Sequence, residues 1–178
     1  MDYVALLRGI NVGGNNKISM KELKELFLSN NFSNVLTYIN SGNVIFSDNS
    51  KKSINEIRNQ IEFLIESKFG LKIKVLVVSK SKFKGIKSNI PENWTNDEIN
   101  KTEILFLDSS VNNKEIMQKL PIKENVDLVI YVDGAIIWHI DRKNISKTGL
   151  IKLIGTKEYS NITVRNSNTV NKISNLLS

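Results

Sequence analysis

The chain has 178 residues, 40% of them hydrophobic, a formal net charge of +7, one histidine and no cysteine. A chain of this length buries roughly 70% of its unfolded surface, enough for a core without covalent staples. The absence of cysteine excludes disulfides and thiolate chemistry, and a lone His139 argues against a transition-metal site.

No apolar run approaches the ~20 residues that span a bilayer. The opening Met1-Asp2-Tyr3-Val4 carries neither a basic leader nor a long apolar segment. A soluble cytoplasmic protein with no membrane partner is therefore expected. The positive balance permits a polyanionic partner, although lysine, asparagine and isoleucine are abundant throughout, which favours a generic lysine surface. Seven lysines and no acid lie between Lys68 and Lys87, and seven basic residues and one acid follow from Arg142 onward. Only Arg8, Arg58, Arg142 and Arg165 supply the planar arginine fork.

Residues 3–10 read as a strand, apolar on both faces except at Arg8. A loop rich in glycine and asparagine follows, and Ser19 with Glu22 has capping-box spacing for a helix carrying Met20, Leu23, Leu26 and Phe27 on one stripe. Residues 35–40 and 44–47 are β-rich runs around the Ser41-Gly42 turn. Ser53 and Glu56 repeat the capping box before the stripe Ile54, Ile57, Ile61, Leu64 and Ile65, and Gly70 is placed to end that helix. Residues 72–79 form a further strand.

This β-α-β-β-α-β order is the ferredoxin-like unit. After a connector broken by Pro91, the order recurs: a strand at 103–108, a short helix at 113–120 stopped by Pro121, strands at 127–132 and 135–141 around Asp133-Gly134, a helix at 146–154, a strand at 162–165 and a helix at 169–177. The expected architecture is α+β, two tandem ferredoxin-like (βαββαβ) units with antiparallel sheets. The units span 2–79 and 103–178, joined by a connector over 80–102. The second is shorter and carries an extra C-terminal helix.

In such a unit the first strand ends beside the hairpin joining the second and third. Arg8, Gly9, Asn11, Gly13, Gly14, Lys17, Ser41 and Asn43 are thus expected to converge near the start of the first helix. The chemistry fits an anion. Glycine lets backbone N–H groups approach a ligand, a helix start adds free donors and partial positive charge, and arginine offers a bidentate fork. In the second unit Arg142, Lys143, Lys147 and Arg165 are expected at one edge, with Asn166 and Asn168 beside the last helix, which Asn168 or Thr169 would cap.

Named nucleotide motifs fail. Gly9-x4-Gly14 is followed by Asn15-Asn16 instead of Lys-Ser/Thr, and G-x-G-x-x-G is absent, so no cofactor is expected. His139, in "IIWHID", reads as a packed histidine, and no nucleophile or general acid is marked by its context.

The segments "YVALLRGINVGGNNKISMKEL", "TYINSGNVIF" and "TVRNSNTVNKI" resemble the three signature segments of the bacterial domain-of-unknown-function family numbered 1697. The resemblance runs from Tyr3 to Ile173 and implies two α+β subdomains, with no assigned activity. It highlights Arg8, Gly9, Asn11, Gly13, Gly14, Lys17, Met20, Tyr38, Ser41, Gly42, Asn43, Arg165, Asn166, Asn168 and Thr169. Three positions depart from the pattern: Ser19 where proline is usual, Asn40 where glutamine is usual, and Ser167 where an aromatic is usual.

The first functional reading is a binding module for a small phosphorylated or otherwise anionic ligand at the 8–18 loop and the 41–43 hairpin, with Arg165, Asn166 and Asn168 as further ligand-binding candidates. RNA or single-stranded nucleic acid is the alternative, weakened because Tyr3 and Phe46 are the only aromatics on the relevant strands and "GNVIFSD" does not fit the RNP1 pattern. An enzyme using Arg8 or Lys17 electrostatically, or a protein-interaction module, are the remaining readings. The sequence assigns no oligomeric state.

Overall fold

The structure, a computed structural model, describes residues 1–177. The chain divides into two compact units, Met1–Phe83 with the segment from Leu176 onward, and Lys84–Asn175. Each contains a four-stranded antiparallel sheet.

The first unit holds β1 (Asp2–Leu7), α1 (Met20–Leu28), β2 (Ser33–Tyr38), β3 (Asn43–Ser47), α2 (Ile54–Phe69) and β4 (Val75–Ser79), with strand order β2-β3-β1-β4. Local signals set the helix ends. The Ser19 hydroxyl accepts from the Glu22 N–H, Ser53 and Glu56 form a reciprocal capping box, and Gly70 ends α2 in the left-handed conformation. One sheet face packs Ala5, Leu7, Val44, Phe46 and Val77 against Leu23 and Phe27 of α1 and Ile57, Ile61 and Ile65 of α2. Phe46 stands within ring contact of Tyr3, Phe27 and Phe32. On the other face Val4, Leu6, Ile45 and Val78 are buried too, which explains strands that are apolar on both sides.

The helix α3 (Lys80–Ser88) follows β4, and the division between the units falls within it. The second unit holds β5 (Asn100–Leu107), β6 (Leu128–Val132), β7 (Ala135–Asp141) and β8 (Ile162–Asn166), in the order β6-β7-β5-β8, and α4 (Ser167–Leu176) follows. Leu105, Leu107, Ile136, Trp138 and Ile140 form one buried face with Ile116, Leu120, Leu153 and Ile162.

Several sequence expectations need correction. The first strand ends at Leu7, so Arg8 lies just beyond it, and β4 begins at Val75, not at residue 72. β5 begins at Asn100, inside the stretch expected as connector. The helices expected at 113–120 and 146–154 are 3₁₀ segments, Lys114–Gln118 and Gly149–Gly155. Tertiary anchoring explains the second. The buried Asp127 carboxylate accepts from Lys123 N–H (2.7 Å), from Gly149 N–H (3.0 Å) and from the Thr148 hydroxyl. A Cβ at position 149 would stand 1.5 Å from the Pro121 carbonyl oxygen. The backbone is thus pinned against Pro121 at the start of this segment, and tertiary context overrides a short apolar stripe.

Replacing Asp127 with alanine removes three hydrogen bonds and strands the buried Gly149 N–H and the partly buried Lys123 N–H. The expected loss is roughly 2–4 kcal/mol, read as a lower denaturant midpoint with an unchanged slope.

Candidate functional site

Antiparallel pairing of β1 with β3 sets Leu6 opposite Asn43, so the end of β1 lies beside the β2–β3 hairpin. The Leu7 N–H donates to the Gly42 carbonyl at 2.8 Å, and the Arg8 N–H donates to Lys74 at 3.0 Å. Between these anchors the opening loop takes a repeatedly left-handed path, with positive φ at Gly9, Asn11, Gly13, Gly14 and Asn16. Glycine and asparagine are the residues that tolerate this conformation, which accounts for the composition of the loop. Asn16 Nδ2 donates to the Gly9 carbonyl (2.9 Å) and the Asn11 N–H to the Asn16 carbonyl (3.2 Å), closing the loop on itself.

Two of the predicted ligand contacts in the first unit are occupied internally. Asn11 Nδ2 donates to the carbonyls of Ile18 (3.0 Å) and Asn40 (2.9 Å), and its Oδ1 accepts from the Ile18 N–H (2.9 Å). Asn43 is buried, and its Nδ2 donates to the Tyr38 carbonyl (3.0 Å) and Ser41 Oγ (3.1 Å). Both side chains hold the walls of the site. Gly42 is required by space as well as by its φ of +77°, because a Cβ there would meet Leu7 Cβ at 2.7 Å and Ile10 Cδ1 at 2.8 Å.

The walls bound an open polar pocket of about 680 Å³ lined by Asn11, Gly14, Lys17, Ser19, Glu22 and Asn40, together with Ile18 and Met20. Lys17 is exposed and forms no ion pair among the described residues. The first turn of α1 adds free N–H donors beside the one that Ser19 satisfies. Arg8, Gly9, Gly13, Ser41 and Asn43 do not line the pocket; Arg8 is half-buried just past β1. Ile39 next to Asn40 has φ +50°, a costly conformation for a β-branched residue.

The second unit gathers a different edge. β7 and β8 both end where β5 begins, with Asn100 opposite Asp141 and Glu103 opposite Asn166. The turn before β5 is held by Asp97, which accepts from the Thr95 hydroxyl (2.5 Å) and the N–H groups of Asn100 (2.7 Å) and Ile99 (2.8 Å). The Thr95 hydroxyl, then these N–H groups, lower its carboxyl pKa to about 2. Arg142 Nε donates to the carbonyls of Asp97 (2.5 Å) and Asn100 (3.2 Å), and Asn168 Nδ2 donates to the Asn96 carbonyl (2.7 Å).

Asn166, not Asn168 or Thr169, caps α4, its Oδ1 accepting from the Thr169 N–H at 2.8 Å. Arg165 Nη1 donates to the Val164 carbonyl at 2.8 Å, and burial lowers the guanidinium pKa to about 10, leaving it charged at neutral pH. Lys143 pairs with Asp141 at 3.0 Å, and Lys147 is exposed.

His139 stacks on Trp94 with ring centroids 4.9 Å apart, and its Nδ1 lies 2.8 Å from Thr102 Oγ1. The Thr102 hydroxyl donates to the Thr95 carbonyl, which leaves Nδ1 as the donor to Thr102. Burial lowers the histidine's pKa, so it is a neutral packing group. The Trp94 partnership had no local signal in sequence. Among the described residues no group of three His, Cys, Asp or Glu is placed to hold a metal ion, and no helix is long and apolar enough to cross a membrane.

Two four-stranded antiparallel sheets with accompanying helices make this a two-unit α+β protein. The chain belongs to the DUF1697 family, described as a protein of unknown function, whose model matches residues 1–138. It is similar to the solved structure of a conserved bacterial protein from Streptococcus pneumoniae, with 28% identity and a TM-score of 0.83 over 99% of this chain and 98% of that one. No curated protein matches the chain.

Three measurements check this geometry. Gly42→Ala should cost about 1–3 kcal/mol through overpacking and an unfavourable φ, read by denaturant unfolding. Ile39→Asn should gain about 1 kcal/mol in the same assay, because asparagine tolerates the left-handed region. Asp97 has a depressed pKa, so its hold on the turn is fully present above the ordinary carboxylate value of 3.8 and is lost as pH falls through about 2. A carboxyl titration followed by NMR should place its midpoint near that lower value.

Proposed function

We propose that the first unit binds a small ligand bearing one anionic group, such as a phosphate ester, in the open pocket between the opening loop and the hairpin. The observation that carries this is the convergence of Lys17, Gly14, Asn40 and the first turn of α1 on that pocket. Lys17 supplies a mobile cation, the helix start supplies backbone donors, and Asn40 offers an amide for a polar edge. Asn11 and Asn43 serve by fixing the walls. Glu22 in the lining disfavours an extended polyanion and suits a ligand whose remainder donates hydrogen bonds.

The frame is read as ferredoxin-like in the first unit and as a reduced version in the second. Supporting this is the same relative strand order in both sheets, with 3₁₀ segments standing in for helices in the second. A nucleic-acid platform of the RRM kind needs an open sheet face with aromatics. Here Val4, Leu6, Ile45 and Val78 are buried on the face that α1 and α2 leave, which favours the small ligand over RNA.

A thermal-shift panel of inorganic phosphate, mononucleotides, sugar phosphates and short RNA tests this at low and moderate salt. A small anion at ~100 times its Kd should add about 2.7 kcal/mol of stability, and Lys17→Ala should abolish that shift while the ligand-free melting temperature stays the same. A shift from RNA alone that vanishes with salt, or no shift from any small anion, overturns the proposal.

A further inference from the structure

The second unit contains a cavity of about 340 Å³ of opposite character, at the lower end of the roughly 300–1,000 Å³ spanned by small-molecule sites. Its origin is the 3₁₀ segment Gly149–Gly155, which lies between β7 and β8 in the chain, where the first unit has the 16-residue α2 between β3 and β4. A shorter cover leaves a groove over Ile140 and Val164, with Tyr159 at its side. Ile145, Ile151 and Ile154 line it while remaining 41%, 55% and 71% exposed. Exposed isoleucines gathered around one concavity mark a binding surface.

The groove also contains an ion pair. Lys101 and Glu103 stand two residues apart on β5 and so share a face, and Lys101 Nζ lies 2.7 Å from Glu103 Oε1. The two side chains are only 26% and 14% exposed. Removing a pair of charges from water is costly, and apolar residues of similar volume would pack such a wall at least as well. The Glu103 carboxylate sits against the Lys101 ammonium without using up its donors, and neither side chain has another partner among the described residues. The wall therefore presents both donors and an acceptor with no net charge.

We infer that this groove binds a small uncharged molecule with an apolar body and one polar head that both donates and accepts a hydrogen bond, an amide or an alcohol. A carboxylate head gains at Lys101 and is repelled by Glu103, and an ammonium head has the reverse problem. A neutral head bridges the two. This site is independent of the pocket at Lys17.

Fluorescence of N-phenyl-1-naphthylamine on the full-length protein tests the inference, with decanamide, decanoate and decylammonium as competitors. The dye should bind saturably, and decanamide should displace it at concentrations at least about tenfold lower than either ion. Ile154→Glu and, separately, Ile151→Asp should abolish dye binding with melting temperatures unchanged, since both side chains are exposed. Glu103→Gln should turn the preference toward decanoate and Lys101→Met toward decylammonium, a reversal that unspecific apolar adhesion cannot give. Lys17→Ala should leave all of this unaltered.

The inference is overturned if the dye does not saturate, if the three competitors act equally, or if the charge variants leave the preference in place. It is also overturned if light scattering shows a dimer that Ile154→Glu dissociates, because the groove is then covered by a second copy.

Discussion

The carboxamide of Asn11 joins three parts of the first unit at once. Its two N–H donors reach the carbonyls of Ile18 and Asn40, and its oxygen accepts from Ile18. Ile18 directly precedes Ser19, the N-cap of α1, so fixing Ile18 fixes where the helix starts. Asn40 belongs to the hairpin, whose Gly42 carbonyl takes the Leu7 N–H at the end of β1. Strand end, hairpin and helix start therefore take their relative positions around one side chain. Aspartate in its place would lose both donors, and glutamine would move the amide outward by one methylene. The pocket has a defined shape because one of its walls is fixed by a side chain whose donors and acceptor are already taken up within the unit.

How much of this the sequence discloses depends on the range of the interaction. The Ser53–Glu56 box and the Gly70 cap are local, and the residues that make them are adjacent in the chain. The nearness of the opening loop to the hairpin follows from antiparallel pairing alone, so it too was legible. The task of Asn11 was not, because its partner Asn40 stands 29 residues away. A loop asparagine facing a ligand looks the same in sequence as one facing a carbonyl. Asn43 shows the same ambiguity: the hairpin was readable, but the inward turn of its side chain was not. In the second unit, apolar spacing over 146–154 suits a period of three nearly as well as one of 3.6 across so few residues. The anchor Asp127, more than twenty residues upstream of Gly149, decides for the 3₁₀ form. Trp94 covers His139 from across the chain, a contact of the same long-range kind.

The two units place polar groups on similar strand orders with different results. In the first, left-handed loop residues lie at the surface and Lys17 is exposed without an ion pair among the described residues. In the second, Arg142, Asn166 and Asn168 at the sheet edge bond to backbone groups of the same unit. An arginine or asparagine at a loop or sheet edge can therefore serve folding or recognition, and its bonding pattern tells which.

The 3₁₀ cover of the second unit has a dynamic consequence. Its hydrogen bonds are of poorer geometry than those of an α-helix, and such short helical pieces have little cooperativity of their own. β5, by contrast, is paired along both edges, to β7 and to β8. Amide exchange should therefore be layered, with residues 150–155 exchanging by local opening, Gly149 protected by its bond to Asp127, and the central strand exchanging only with the unit as a whole. The segment beyond Gly149 is thus the part of the second unit whose backbone bonds are individually weakest, set against a central strand bonded along both edges.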